Sequence, residues 1–537
     1  MAIPNNVAST RRDLMGGAMD PGEGQPHGPG RGLSQRQLRL NHLWSHYTGN
    51  SYDARRVDWD GSEVLDHLEH EVVARAGFVP PGFFMAGKDL PLKFRKPTAP
   101  YYLVRVVVER FTGLLFSQKR HPKIAVPGDR DTEAWIAAFA KATRLWARFI
   151  SARRLGGAMG SVAIGFKFVR GQPFVEVHDP RWCFVELDPD TGDVATFEKR
   201  YTYPHEERDV DGELVERWYW YRRVIDRETD TIWPRVPVDQ GEPQWGQERR
   251  VQAIHGLGFV PVAWIKNTDN PDELDGIPDA HGIYDQVCAI DALQSQAYRG
   301  ILANLDPTLK IKTDAEVPGE VRKGSDNAIV LGAGDDAGYL EITGTGIKLA
   351  HEQATRTREQ ALEVARCVLD TNFEGPARTE AEVKGNFSAM LEAADELREQ
   401  WGEEGVRRLL VLVLRAARKL AKGAATKRAD GATELVRSVV RLPGNPKLGS
   451  SEEIEIVWPD YFTPSAQDAL TATQAATQAK DGGLIDQETA TRHVAQYFGV
   501  EDAQEVAQKA KVESDAAEAA IQHAAEAAMG GGFGGEG

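Results

Sequence analysis

Cysteine is scarce in this chain of 537 residues, which has only Cys183, Cys288 and Cys367. No two of them form a C-x-x-C pair, so the spacing supports neither a zinc site nor a disulfide framework. We therefore expect three reduced thiols, most of them buried.

Long apolar runs are also missing. The longest aliphatic run covers residues 409–414 and lies between two arginines, whereas a membrane-spanning helix requires about 20 apolar residues. The N-terminus has Arg11 and Arg12 but no apolar stretch behind them, so it does not read as a secretory signal. We expect a chain that does not enter a membrane.

Motifs for chemistry are absent as well. There is no G-x-x-x-x-G-K-[ST] phosphate loop and no G-x-S-x-G elbow, and the glycines of 332–338 miss the dinucleotide spacing. The pairs His42/His46 and His67/His70 lack a third ligand. The aspartates of 188–193 fit a hairpin turn better than a calcium loop. We expect no cofactor, no metal and no enzymatic activity.

Positive charge is in deficit. The chain has 64 Lys and Arg against 80 Asp and Glu, a formal net charge of −16. A simple nucleic-acid binder is usually basic, so this balance argues against one. It does not argue against a protein that DNA passes without adhering.

Periodicity divides the first half of the chain. Eleven of the first 32 residues are Gly or Pro, which predicts a disordered N-terminus. Residues 101–116 read as a buried helix, with a strand as the alternative, and 132–153 as an amphipathic helix capped by Asp131 and ended by the glycines of 156–160. Residues 161–265 alternate in the manner of an antiparallel sheet.

The second half is mainly helical. Pro278 is predicted to open a helix that runs to about Leu305, and a β-rich insert with strands near 309–312, 328–331 and 339–342 follows. A second helix runs from 348 to about 370, and its part 351–360 is polar on all sides, which is typical of a helix that faces water or another subunit. A helical pattern of 43 residues covers 380–422, with Gly402 and Gly405 as bend points. A strand at 454–458 and an Ala-rich helical tail complete the order.

This order resembles the portal proteins of tailed bacteriophages of the siphophage type. The residues that carry the resemblance are Gly258–Asn267, Gly276–Leu305, the insert 306–347, the helix 348–371, the loop 372–379, the helix 380–422, Ile454–Asp460 and the segment 480–489. The implied fold is α+β: a mixed wing, a two-helix stem, a small β-rich clip, a long kinked helix and a helical crown.

The resemblance also implies boundaries for these parts. They are a disordered N-terminus (1–33), the first part of the wing (34–278), a stem helix (279–305), the clip (306–347), a second stem helix (348–371), a tunnel loop (372–379), the rest of the wing (380–462), the crown (463–528) and a flexible C-terminus (529–537).

The implied function is a ring of typically twelve subunits at one capsid vertex, through which double-stranded DNA is packaged and ejected. The implied partners are further copies of the chain, DNA, the terminase large subunit, the major capsid or scaffolding protein and a head-completion adaptor. The implied location is the portal vertex of the virion, and the host cytoplasm during assembly. Two alternatives stay open: another virion head component, such as a minor head protein or adaptor, and a cytosolic hydrolase with scattered site residues.

Candidate site residues follow from the same resemblance. The tunnel loop offers Asn372, Phe373, Glu374, Gly375, Pro376 and Arg378 to DNA, with a plain helix–helix connector as the alternative. The stem offers Glu352, Arg356, Arg358 and Glu359 for contacts between subunits, with a solvated helix face as the alternative. The clip offers Asp314, Glu316, Glu320, Asp335 and Asp336 for terminase or adaptor docking.

Overall fold

A computed structural model gives the structure of the chain in two compact units, residues 1–459 and 460–537. It describes residues 34–49, 56–57, 63–64, 97, 99–117, 121–208, 214–238, 245, 251–271, 273–305, 308–312, 336–340, 344–369, 380–422, 424–427, 433–436, 440–461, 466–485, 489–491 and 494. The predicted N-terminal segment 1–33, the tunnel loop, the strand at 328–331 and the chain beyond 494 lie outside these residues.

Helices and antiparallel strands are both prominent, so the predicted α+β class is confirmed. The helices are α1 (Gln35–Thr48), α2 (Leu103–Leu115), α3 (Arg130–Thr143), α4 (Leu145–Met159), α5 (Tyr284–Leu305), α6 (Thr345–Val364), α7 (Glu380–Gln400), α8 (Arg408–Lys422) and α9 (Ala466–Asp481). A π-helical stretch, Trp401–Arg407, joins α7 to α8.

The strands of the first half are β1 (Arg56–Val57), β2 (Glu63–Val64), β3 (Lys123–Ala125), β4 (Ser161–Val169), β5 (Gln172–His178), β6 (Cys183–Leu187), β7 (Val194–Arg208), β8 (Leu214–Ile225), β9 (Thr229–Ile232), β10 (Val236–Pro237), β11 (Val251–Ile254) and β12 (Val262–Lys266). The remaining strands are β13 (Thr308–Lys312), β14 (Asp336–Leu340), β15 (Ala424–Lys427), β16 (Thr433–Val436) and β17 (Glu455–Val457).

The segment predicted as one antiparallel region forms two sheets. One has the order β12-β4-β5, and the other has the order β11-β9-β8-β7-β6 with β10 added to β8. The antiparallel pairing predicted for 161–265 is confirmed, with Phe166 opposite Val175 in one sheet and Val185 opposite Phe197 in the other. Hydrophobic alternation predicted the strands but not the division into sheets, in which β12 pairs with β4 across a long sequence separation.

The core of the first unit is aliphatic and aromatic. Helix α2 is confirmed as a buried helix, and Val107, Val108 and Phe111 are among its buried residues. The ring of Phe116, just after α2, lies 5.4 Å from that of Phe149 and 6.1 Å from that of Trp401. This cluster packs helices from distant parts of the chain against one another.

The predicted helix 132–153 is wrong in its continuity, because α3 and α4 are separated at Arg144, which has a left-handed φ of 52°. Its N-cap is also Asp129 rather than Asp131. One oxygen of Asp129 accepts from Thr132 N at 2.9 Å, and the other accepts from Ser451 N at 3.0 Å. These hydrogen bonds, led by the one from Ser451, lower the pKa of Asp129 to about 2.

The glycines of 156–160 were expected to end this helix together, yet α4 continues through Gly156 and Gly157 and ends only at Gly160. Gly160 has a φ of 95°, and its N–H donates to Gly156 O at 2.6 Å. This left-handed residue is the ordinary glycine C-cap. The two earlier glycines serve a packing purpose that is described below.

The long helical pattern 380–422 is confirmed as α7, the π-helical stretch and α8 in succession. Both predicted bend points, Gly402 and Gly405, lie in the π-helical stretch. A Cβ added to Gly405 would lie 3.2 Å from Ile265 Cδ1 and 3.4 Å from Phe149 Cε1. The glycine therefore lets the stretch lie close to β12 and α4.

Two predicted helix ends differ from the structure. Helix α5 begins at Tyr284 rather than Pro278, because the chain first turns, with His281 N donating to Pro278 O and Gly282 at a φ of 84°. Helix α6 ends at Val364 rather than about 370, because Arg366 is left-handed with a φ of 50°. The left-handed region is uncommon for residues other than glycine, so the sequence did not predict that Arg366 would adopt it.

The second unit contains α9. The helix ends on Gly482 and on Gly483, which has a φ of 68°, and Leu484 N donates to Ala479 O at 2.9 Å. This arrangement is a Schellman-type C-cap. The prediction that the Ala-rich pattern begins as a helix is confirmed, since α9 starts at Ala466.

Candidate assembly surface on a helical hairpin

Helices α5 and α6 form an antiparallel hairpin that is joined by the β13–β14 ladder. At one end, a Cβ on Gly282 would lie 3.7 Å from Val364 Cγ1. At the other end, a Cβ on Gly300 would lie 2.9 Å from Ile347 Cγ1, so the missing side chain lets the two helices approach closely. Helices of 22 and 20 residues extend about 33 and 30 Å.

The base of this hairpin, which we call the hairpin root, comprises the turn 268–283 and the first half of α5, residues 284–295. Two buried polar side chains of α5 fix it to the segment that precedes α2. Asp291 Oδ1 accepts from Tyr101 N at 2.7 Å, and Ser295 Oγ accepts from Ala99 N at 3.0 Å. Each contact pairs a backbone N–H with a buried side-chain acceptor, so the two contacts hold α5 in one register against the body.

The opposite end, which we call the distal end, comprises residues 298–305, 308–312, 336–340 and 344–353. Tyr298, Ile301, Leu302 and Leu305 stand at helical spacing on one face of α5, with exposed fractions of 49, 45, 47 and 76%. We call these four residues the distal apolar stripe. Contiguous exposed apolar side chains mark interaction surfaces in soluble proteins.

Helix α6 presents mostly polar residues. Between 351 and 360 only Ala354 is buried, in agreement with the prediction that this part faces water or a neighbour. Glu352 is paired with Lys348 at 3.7 Å, with both side chains more than half exposed. Of the other stem candidates, Arg356 and Glu359 are exposed, whereas the guanidinium of Arg358 lies 5.5 Å from the ring centre of Tyr101.

Only one clip candidate falls within the described residues. Asp336 begins β14, opposite Lys312, and is exposed. Asp314, Glu316, Glu320 and Asp335 lie outside the described residues. So do the tunnel-loop candidates Asn372, Phe373, Glu374, Gly375, Pro376 and Arg378, whose role stays a prediction.

The histidine pair that spacing marked as ligand-like is part of the packing around the root. The rings of His42 and His46 are 4.7 Å apart, and the ring of His46 is 5.2 Å from that of Tyr284. Burial, with a smaller contribution from His42, lowers the pKa of His46 to about 3. Among the described residues, no group of three or more His, Cys, Asp or Glu is arranged to hold a metal ion.

Other chemical candidates are also structural. Asp188 accepts from the N–H groups of Asp190 and Thr191, so the aspartate cluster is a hairpin turn, as predicted. Burial raises the pKa of the Cys183 and Cys367 thiols, that of Cys367 to about 12, which disfavours the reactive thiolate. None of the described helices has the length and hydropathy needed to cross a membrane.

Sequence reasoning did not find Asp291 and Ser295 as anchors. A signal was present, because both occupy the α5 face that also buries Val287 and Ile290. Polar residues on a buried helix face need partners, but their identity comes from residues 99 and 101, nearly 200 positions away.

Comparison with known proteins gives structural likenesses alone. No family model matches the chain, and no curated protein matches it. One similar solved structure is a chain from the neck of an empty gene transfer agent particle, computed with C6 symmetry, with 13% identity and a TM-score of 0.35, over 81% of this chain and 96% of that one. Another is a chain from the virion of a native gene transfer agent particle, with 14% identity and a TM-score of 0.33, over 84% of this chain and 99% of that one. The chain is thus similar, at low identity, to components of an assembled particle.

Proposed function

We propose that the chain is a phage portal protein, a subunit of a ring at one capsid vertex through which double-stranded DNA is packaged and ejected. The observation that carries the proposal is the hairpin of α5 and α6, anchored at its root and exposed along the distal apolar stripe. The order of elements around it supports the proposal, since it follows the order expected of the wing, stem, clip and long helix.

The distal apolar stripe favours a repeated subunit. Burial of apolar surface contributes about 25 cal/mol per Å², so a surface that covers these four exposed side chains is stabilising. A ring supplies that surface to every copy through a head-to-tail contact that closes by rotation. The polar part of α6 is consistent with this arrangement, because a helix in such a ring meets neighbours and water on different sides.

The acid surplus suits a conduit. The net charge of −16 recurs in every subunit, and a channel wall of that sign repels phosphates, whereas a basic wall would hold them in a salt-dependent manner. The screening length is about 8–10 Å at physiological salt, so only residues near the DNA contribute.

We infer a role without catalysis. A portal does not itself hydrolyse ATP, so a separate terminase would dock on the clip during packaging. A head-completion adaptor would replace it afterwards, and capsid or scaffolding protein would surround the wing. The protein would then be found in the host cytoplasm during assembly and in the virion thereafter.

The oligomeric state of the purified chain tests the proposal. The expected particle is a ring with a central hole, twelve copies of 59.2 kDa, or roughly 710 kDa, seen by electron microscopy and mass photometry. A stable monomer that turns over a small substrate would overturn the proposal and favour the hydrolase alternative.

A pair of variants tests the stripe itself. Leu302→Ser with Leu305→Ser should reduce the fraction of chain in rings at a fixed concentration, since both side chains are exposed in the single subunit. Leu214→Ser is the matched control, because Leu214 is 66% exposed but belongs to β8 and not to the hairpin. Equal ring fractions for all three proteins would show that the stripe is not an interface.

A further inference from the structure

A second buried polar cluster includes one residue of the hairpin root and three from other elements. It consists of Arg153 on α4, Asn267 just after β12, Asp279 in the turn before α5, and Trp401, the first residue of the π-helical stretch. We call these four residues the polar hub. Arg153, Asn267 and Trp401 are fully buried, and the Asp279 side chain is 2% exposed.

The polar hub is a continuous chain of hydrogen bonds. Arg153 Nη1 and Nη2 donate to the two oxygens of Asp279 at 3.0 and 2.9 Å. Asn267 Nδ2 donates to Asp279 Oδ1 at 2.9 Å, and Trp401 Nε1 donates to Asn267 Oδ1 at 3.2 Å. The guanidinium of Arg153 also lies 5.5 Å from the centre of the Trp401 ring, so the first and last residues of the hydrogen-bond chain contact each other.

Two glycines of α4 make room for this arrangement. A Cβ on Gly156 would lie 2.7 Å from Trp401 Cζ2, and a Cβ on Gly157 would lie 2.1 Å from Arg153 Nη1 and 2.5 Å from Asp279 Oδ2. The carbonyl of Gly157 also accepts from Asp279 N at 2.9 Å. The glycines inside α4 therefore serve the hub and do not break the helix.

The polar hub joins an irregular helix to the turn that starts the hairpin. A π-helical stretch is rare and is frequently found at functional sites. Unusual backbone geometry persists where the surrounding structure determines it. Here Trp401 donates a hydrogen bond to Asn267, and its ring occupies the space left by the missing side chain of Gly156. Asp279, further along the same hydrogen-bond chain, belongs to the hairpin root and holds it against α4.

We propose that the polar hub is a positioning device that holds the π-helical stretch in place and couples it to the hairpin root. Loss of the Trp401 donor loosens the turn before α5, and loss of the Asp279 carboxylate loosens the stretch 401–407. Asn267 is the intermediate, because it contacts both. The coupling belongs to the single subunit and does not rest on the portal proposal.

Hydrogen exchange by mass spectrometry, on the purified chain in whatever oligomeric state it adopts, tests the coupling. Trp401→Phe keeps an aromatic ring and removes one donor to a buried acceptor, so exchange in 276–287 should accelerate about tenfold. Asp279→Asn leaves the Arg153 charge uncompensated, so exchange in 401–407 should accelerate about a hundredfold or more.

Asp275→Asn is the matched control. Asp275 lies in the same turn and also forms a buried, two-pronged pair, with Arg36 of α1 at 2.7 and 2.8 Å, but it has no bond to the hub. This variant should accelerate exchange in α1 much more than in 401–407. Equal acceleration of 401–407 by both aspartate variants would indicate general loosening and overturn the proposal. Unchanged exchange in 276–287 after Trp401→Phe would overturn it as well.

Discussion

The hairpin root and the distal end belong to the same two helices but differ in what surrounds them. At the root, Asp291 and Ser295 receive backbone donors from their own chain, and both side chains are buried. At the distal end, Leu305 is 76% exposed and Leu349 of α6 is 59% exposed. The root thus finds its polar partners within the same chain, whereas the apolar side chains of the distal end are exposed.

The root and the distal end should therefore affect different free energies, that of folding and that of association. A buried polar group at the root is destabilising unless it has a partner, so removal of one partner acts on folding. An exposed leucine at the distal end contributes little to folding of the single chain, so in the proposed ring its removal should act on association. Variants at the two ends should therefore separate stability from assembly.

We expect the largest effect from Asp275→Ala at the root, which should lower the free energy of unfolding. Arg36, 4% exposed in this structure, would keep its carbonyl contacts to Pro180 and Cys183 but lose its carboxylate. Breaking a buried pair in this way lowers the free energy of unfolding by about 3–5 kcal/mol, which urea denaturation measures.

The control for that variant is an exposed pair. Glu403→Ala removes a partner of Arg407 at 2.8 Å, with both side chains about half exposed, and should change the free energy of unfolding by less than about 1 kcal/mol. Similar losses for the two variants would contradict the view that the root is a buried, folding-critical anchor.

The next effect is a dependence of stability on pH at the root. His46, packed against His42 and Tyr284, has its pKa lowered to about 3, whereas the ordinary value is 6.5. Between these values the unfolded chain binds a proton that the folded chain does not, so the free energy of unfolding falls as the pH falls from 6.5 toward 3. The loss is on the order of a few kcal/mol.

His46→Gln should remove this contribution and flatten the pH profile of urea unfolding between pH 6 and 4. His178, on β5, is an internal reference, because burial lowers its pKa to about 3 as well and the variant leaves it in place. The profile should therefore flatten only in part. A slope identical to that of the original chain would show that His46 is not held neutral.

The sequence predicted the elements that depend on local pattern. Strand alternation located β4 to β9, and helical spacing located α2 and the polar part of α6, because each depends on which face is buried. The same pattern located the long helix and the two glycines of its π-helical stretch.

What the sequence did not predict depends on contacts between distant residues. The break at Arg144 has no glycine to announce it, and the Asp129 cap is chosen partly by Ser451, more than 300 positions away. Gly156 and Gly157 read as helix breakers because Trp401 and Asp279, which need the space, are remote in sequence. The anchors of the root fall into this same class.

The smallest effect on folding is expected from the exposed charges of α6 near the distal end. Variants of these charges test whether they contact a neighbouring copy. Glu352→Ala removes the 3.7 Å contact with Lys348 in the single subunit, and an exposed i,i+4 pair of this kind contributes about 0.3–0.5 kcal/mol. Lys348→Ala removes the same contact from the other side and is the matched control. If the chain forms the proposed ring and Glu352 also pairs with a neighbouring copy, Glu352→Ala should raise the concentration at which rings dissociate more than Lys348→Ala does. Added salt should reduce the difference. Equal dissociation for both variants would return Glu352 to the solvated helix face and leave the distal apolar stripe to explain assembly.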